Sequence, residues 1–412
     1  MKRKDIIKLI ITTIFFISVA ILTMIFIMKL FNDYRIKTAK KKVKFNNLEV
    51  EVYSDIKVKD LIKSINGKII DNYKIDTTKL GKKEIEFQFI NNDNIKVPYS
   101  FTINIVDKTA PLISHIDSYT IYKGDKENIA KNIFCGDNYD DKPKCEIIGD
   151  YDRNEVGEYP VEFKATDSNK NTSSHKMKII VKEKPKPVKS SKKYKYTFPE
   201  DVTEYKDIRE KHKETLVGID ISKWQGKIDF KKLKKEKVGF VMLRVGYQKE
   251  IEGDYILDER FKENIEELNK LKIPVGVYFY SKANSKEEAI NQAKWVRKKI
   301  KHHEVDLPVA FDWENFDTYQ YYKQSFYHMT EIANAFMDKI EKYEYDSMLY
   351  SSKNNLKEIW YPTEHDIWLA HYTEKTDYED YRIWQMTDNG KISGISNNTV
   401  DINIMKWGVL WK

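Results

Sequence analysis

Hydrophobic and polar positions divide the chain into four kinds of pattern. Residues 9–28 carry no charge, and Thr12, Thr13, Ser18 and Thr23 are the only polar members of that run. An apolar helix of this length spans a bilayer. Lys2, Arg3, Lys4 and Lys8 precede it and favour a cytoplasmic N-terminus, although Lys29, Arg35, Lys37 and a run of lysines at 40–42 weaken that bias. Residues 1–31 are read as a cytoplasmic tip and an uncleaved signal anchor. A cleaved signal peptide is the second reading, and the lack of a small-x-small site after Met28 counts against it.

From about 43 to 182 the period is that of β-strands, and the pattern repeats. LGKKEIEF at 80–87 matches VGEYPVEF at 156–163, and Ile103 and Ile105 match Ile179 and Val181, all at an offset of 76. Polar turns at 91–94 and 167–171 separate the strands. Two tandem β-sandwich modules are expected, 43–106 and 107–182. The second, with its DKTAP opening at 107–111 and its Gly157-Glu158-Tyr159 hairpin, resembles bacterial immunoglobulin-like repeats. A spacer role is preferred over carbohydrate or protein binding, because sandwich folds host unrelated functions. Cys135 and Cys145 bracket an acidic loop. Outside the membrane they are candidates for a short-loop disulfide, and two free buried thiols are the competing reading. The loop lacks the ligand spacing and terminal Glu of a helix-loop-helix calcium site.

The third pattern is a Lys/Pro/Ser-rich run without apolar periodicity, read as an extended linker over 183–215. The last 195 or so residues alternate apolar strands with helical stretches. Strands begin near Val217, Val238, Val275, Leu307, Ser347, Ile367, Arg382 and Val400, and helices are expected over 230–237, 258–271, 285–300 and 325–343. Such alternation implies a parallel sheet with right-handed crossovers, closed as a modified (β/α) barrel over 216–405. The fold class is therefore multidomain: a transmembrane helix, two β-sandwich modules and a C-terminal barrel. With a patternless linker before it, the fragment 200–412 is expected to fold and act without the sandwiches.

Composition narrows the function. The 412 residues are 41% hydrophobic, enough for real cores, and the net charge is +8 from 72 basic and 64 acidic side chains. A mixed surface with a basic surplus suits an anionic cell wall or membrane face, and no nucleic-acid recognition motif occurs. Two cysteines exclude a Cys-rich zinc site. His302-His303 sits at a Lys-rich helix end, so neither a metal nor any other cofactor is expected.

Candidate chemistry collects at the C-terminal ends of the barrel strands, where such folds place active sites. In residues 307–314 (LPVAFDWE), Leu307, Val309, Phe311 and Trp313 alternate with Ala310, Asp312 and Glu314, so an apolar face backs a doubly acidic one. Two neighbouring carboxyls shielded from water stay apart in protonation, which glycosidic cleavage requires. Asp220, Arg244, Tyr278 and Tyr280, Tyr350, Trp368 and Tyr372, Gln385 and Asp401 end the other strands. Each aromatic alone is as well read as core. Together they outline an acidic groove with sugar-stacking walls.

The motifs GIDIS-x-WQG (218–226), Y-x-YS (278–281), DWE (312–314), W-x-A-x-Y (368–372), WQ (384–385) and VD-x-N (400–403) stand in the order of glycoside hydrolase family 25. Residues 216–405 are similar to these lysozymes, N-acetylmuramidases that cut peptidoglycan between N-acetylmuramic acid and N-acetylglucosamine. The resemblance implies a barrel fold, Glu314 as general acid, Asp312 as its partner, and Asp220 and Asp401 as further acids of the site. It leaves two routes open: an aspartate attacks the anomeric carbon, or the substrate's acetamido group assists. Tyr278, Tyr280, Arg244, Tyr350, Trp368, Tyr372 and Gln385 are the candidate substrate contacts. Trp407 and Trp411, in the tail, have no counterpart. A non-catalytic wall-binding surface protein is the alternative, opposed by the presence of all four acids. A chitinase-type site is excluded, since Leu307 and Ala310 occupy the places of its upstream aspartates. The expected location is the membrane of a Gram-positive type bacterium, single-pass, with the C-terminal domains facing the wall. Peptidoglycan is the expected substrate; protein partners are not indicated.

Overall fold

The computed structural model describes residues 3–186 and 196–406. Most of the expected linker's Lys-rich core, Lys2, Trp407 and Trp411 lie outside the described residues. The chain forms two compact units, 1–108 and 109–412.

In the first unit, Arg3–Thr38 is one continuous helix. Its stretch Ile10–Thr38 is long and apolar enough to cross a bilayer. The helix thus runs ten residues beyond the apolar run, and its form serves an anchor and a signal sequence equally. After it, strands Gly81–Asn91 and Lys96–Val106 form a long antiparallel hairpin. Glu49–Glu51 adds in parallel on one side and Gly67–Ile69 antiparallel on the other.

The β-rich start of the second unit repeats that arrangement. Gly157–Thr166 and Thr172–Lys182 form the hairpin, Ser118–Tyr122 joins in parallel and Lys144–Ile148 antiparallel. The sequence repeat falls on equivalent inward positions: Phe87 and Phe163, Ile103 and Ile179, Ile105 and Val181 are all buried. Period-2 patterning places one side of each hairpin in a core. Cys135 and Cys145 are joined as a disulfide, S–S 2.01 Å.

The barrel consists of β1 (Thr215–Ile221), β2 (Val241–Gln248), β3 (Val275–Tyr280), β4 (Val309–Asp312), β5 (Ser347–Ser352), β6 (Asp366–Ala370), β7 (Ile383–Lys391) and β8 (Val400–Lys406). Strands β1 to β7 are successively parallel, and β8 closes the ring. The expected all-parallel sheet needs correction here, because β8 runs antiparallel to both β7 and β1. Between β7 and β8 the chain has too few residues for a helical crossover, so it must return in the opposite direction. Helices Phe230–Lys235, Phe261–Lys270, Lys286–Ile300 and Phe326–Glu341 pack outside. Alternation splits each strand: Val309 and Phe311 join the outer core, while Ala310, Met242, Met348 and Trp368 fill the interior below the strand ends.

Two domain limits also change. Residues 203–211 are not linker: Thr203–Glu204 pairs with β7, and Tyr205 of the helix Tyr205–Lys211 is buried and donates its hydroxyl to the Val217 carbonyl at 2.7 Å. One aromatic in a short amphipathic turn leaves no readable period. Nor is the barrel bare toward 109–182. Leu112 and Phe134 pack against its outer core, and residues 109–412 form one compact unit.

Candidate active site

Strand ends β1 to β8 surround a groove of about 550 Å³. Asp220, Asp312, Glu314, Asp401, Arg244, Tyr278, Tyr280, Tyr350, Trp368, Tyr372 and Gln385 all line it. The four acids differ in exposure. Asp220 and Asp312 are buried, Asp401 is half-buried, and Glu314 reaches into the open groove. β4 ends at Asp312, so Glu314 stands on the connection that follows rather than on the strand.

The acids fall into two neighbouring pairs, Asp220 opposite Asp401 across β1 and β8, and Asp312 two residues before Glu314, and within each pair the charge of one carboxyl raises the proton affinity of the other. Burial raises all four above the usual carboxylate range. Asp312 is pushed well up by burial and then by the charge of Glu314, with Arg244 opposing. Burial and then the charge of Asp220 raise Glu314. Glu314 is the more exposed of the two, and Asp312 is the one enclosed by the strand ends.

Two amide donors favour the ionised form of Asp220. Its Oδ2 accepts from Gln385 Nε2 at 2.9 Å and from Asn403 Nδ2 at 2.8 Å. These bonds offset part of the burial penalty. The amides are themselves oriented. Gln385 Oε1 accepts from the hydroxyls of Tyr350 and Tyr372 at 2.8 and 3.0 Å, and Asn403 Oδ1 accepts from Trp368 Nε1 at 2.8 Å. The groove's aromatic wall and its anion are therefore one network. Arg244 pairs with fully buried Asp258 at 2.8 Å, which anchors its charge near Asp312. Tyr280 donates to Asn315 Oδ1 at 3.2 Å, tying β3 to the connection that carries Glu314.

Sequence reasoning passed over Lys223, Trp224 and Tyr247, which also line the groove, and Asn403, which holds Asp220. Trp224 and Asn403 stood in quoted motifs without a site role. The Ser222 side chain accepts from the Trp224 amide, Gln225 accepts from the Ser222 amide at 2.9 Å, and Gly226 takes φ +68, a value that disfavours any side chain. This turn leaves the Trp224 ring 63% exposed at the groove mouth, with the Lys223 ammonium 5.2 Å from its centre. Tyr247 was hidden by a β-bulge between Arg244 and Gly246, which shifts the alternation so that both Arg244 and Tyr247 face the groove.

Residues 219–395 match the model of Glycosyl hydrolases family 25, so this stretch of the barrel is a domain of that family. Among curated proteins, the chain is 27% identical over 198 residues to the uncharacterized protein YegX of Escherichia coli (strain K12), covering 46% of this chain and 69% of that one. It is 26% identical over 199 residues to the autolytic lysozyme of Clostridium acetobutylicum, covering 47% of this chain and 57% of that one. Among solved structures it is similar to the modular autolysin LytC from Streptococcus pneumoniae in complex with a synthetic peptidoglycan ligand, at 24% identity and a TM-score of 0.41, over 59% of this chain and 56% of that one.

Proposed function

We propose that the chain is a lysozyme of the N-acetylmuramidase type, cleaving the β-1,4 bond between N-acetylmuramic acid and N-acetylglucosamine, held at the outer membrane face by its N-terminal helix. The observation that carries this reading is the pairing of a buried acid, Asp312, with one that reaches the groove, Glu314. Glu314, the more exposed of the two, is the better placed to deliver a proton to a glycosidic oxygen in the groove. When sugars fill the groove they displace water from Glu314, its proton affinity rises, and it holds the proton that it transfers to the glycosidic oxygen. As the C1–O bond breaks, N-acetylglucosamine leaves as the alcohol, positive charge develops on the N-acetylmuramic acid ring beside the Asp220 carboxylate that Gln385 and Asn403 hold, and water finally adds at C1. Asp401 carries the proton that lets the two acids of that pair coexist. Trp224, Tyr280 and Tyr372 offer ring faces to the sugars, while the buried Tyr278, Tyr350 and Trp368 form the floor beneath them. The β-rich segments are read as immunoglobulin-like modules that bridge membrane and wall, and the catalytic end acts on nearby peptidoglycan as local remodelling.

The test uses residues 32–412 on purified peptidoglycan, with mass spectrometry of the released fragments. Fragments ending in reducing N-acetylmuramic acid are expected. Glu314→Gln keeps the shape but carries no transferable proton, and should lower release by about two to four orders of magnitude with folding intact. Equal release by wild type and Glu314→Gln overturns the mechanism; binding without any release supports a wall-binding role in its place.

A further inference from the structure

Glu314 has no ladder hydrogen bonds to fix it, because β4 stops two residues earlier. Its carbonyl accepts from the Phe316 amide at 2.9 Å, which ties it to the short helical segment Phe316–Tyr321. Trp313, between the two acids in sequence and fully buried, packs edge-on against Phe316 at 4.9 Å and Tyr319 at 5.8 Å. Glu314 thus adjoins this segment directly, and Phe134, Ala130 and Ile133 meet the segment's outer side.

Three features make that cover more than incidental. The Phe134 ring sits 5.5 Å from Tyr319 and 6.2 Å from Phe316, edge-on to both. The Gln320 side chain donates to the carbonyls of Ala130 and Ile133 at 2.6 and 2.9 Å, two bonds from one amide to one turn. At Gly136 a Cβ would come within 2.5 Å of the Phe326 ring and 2.8 Å of the Tyr319 ring, so the backbone approaches as closely as only glycine permits. A plain spacer needs none of these contacts.

We propose that residues 109–182 are a positioning element of the catalytic unit. Phe134, with the carbonyls that receive Gln320, holds Phe316–Tyr321 in place, and through Trp313 this sets where Glu314 stands in the groove. The inference rests on Glu314 being the proton donor. General acid catalysis depends steeply on placement, and a shift of about 1 Å costs on the order of a hundredfold in rate.

The test uses the full chain in detergent with soluble peptidoglycan fragments, comparing wild type, Phe134→Ala and Phe134→Leu for kcat, KM and pH–rate profile. In Phe134→Ala, kcat is expected to fall by about ten- to a hundredfold with KM within about twofold. The alkaline limb should move to lower pH, because a loosened Glu314 is better hydrated and binds its proton less tightly. Phe134→Leu, which refills most of the volume, should restore most of both. If Phe134→Ala does not fold, Gln320→Ala, which removes two hydrogen bonds at a half-buried position without opening a core cavity, should shift kcat and the alkaline limb in the same directions by less. An unchanged kcat and alkaline limb in a folded variant, whatever its melting temperature, overturns the proposal and leaves the muramidase reading intact. A wild-type chain that releases no reducing ends overturns both.

Discussion

Gln385 joins the anion of the site to its aromatic wall, so replacing it tests the network as a unit. In Gln385→Leu the size is nearly kept while one donor and one acceptor are lost. The Tyr350 hydroxyl, on a buried side chain, loses its acceptor, at a cost of about 1–3 kcal/mol. Asp220 loses one of two amide donors, and a hydrogen bond to a charged group contributes about 1.5–3 kcal/mol. Tyr372 is half exposed and turns to water at little cost. The leucine returns roughly 1 kcal/mol through apolar burial. The net loss is about 2–5 kcal/mol, which lowers Tm by roughly 5–15 °C for a domain of this size. Activity carries a second signature. Without the Gln385 bond the Asp220 carboxylate is less favoured, so its proton affinity rises beyond what burial already imposes. If catalysis needs Asp220 ionised, the acidic limb of the pH–rate profile moves to higher pH. Thermal melts by circular dichroism and reducing-sugar release across pH read the two effects separately. A Tm within a degree of wild type would refute the hydrogen-bond accounting. A fallen Tm with an unmoved acidic limb would refute the role of Asp220 as the required anion.

Asp401 is raised well above the ordinary aspartate range by burial and then by the Asp220 charge. A folded-state value above the unfolded one gives stability that is complete below the unfolded value and lost as pH rises through the folded one. Asp401→Asn, which still offers a donor to Asp220, should therefore raise Tm at pH 7 by a few degrees and leave it unchanged near pH 3; an equal change at both pH values would contradict this. For the N-terminal helix, protein from the native host should stay in the membrane fraction after a high-salt wash with its N-terminal peptide still detectable. A mature N-terminus near Asn32, with activity in the medium, would identify a signal peptide.

The lesson for reading such a chain lies in which interactions are local. Alternation along 307–314 was enough to separate Phe311, which joins the outer core, from Asp312, which faces the groove, because side chains on a strand have period two whatever surrounds them. The 76-residue repeat fell on equivalent hairpin positions for the same reason. Spaced motifs also carried the eleven residues that the barrel brings to one groove, since strand ends converge wherever the ring closes. What escaped depended on partners distant in sequence. The bulge that turns Tyr247 inward is a mismatch between β2 and β3, and the direction of β8 follows from its two neighbours. Tyr205 joins the barrel through the Val217 carbonyl, and Asn403 acquires its role only where Asp220 lies beside it. Most of all, nothing near Phe134 in the chain indicates that its ring packs against Phe316 and Tyr319. Local pattern determines which face a side chain takes; tertiary packing decides what that face meets. The proton affinities of the four acids belong to the second kind, because burial and neighbouring charge exist only once the strands have closed around them.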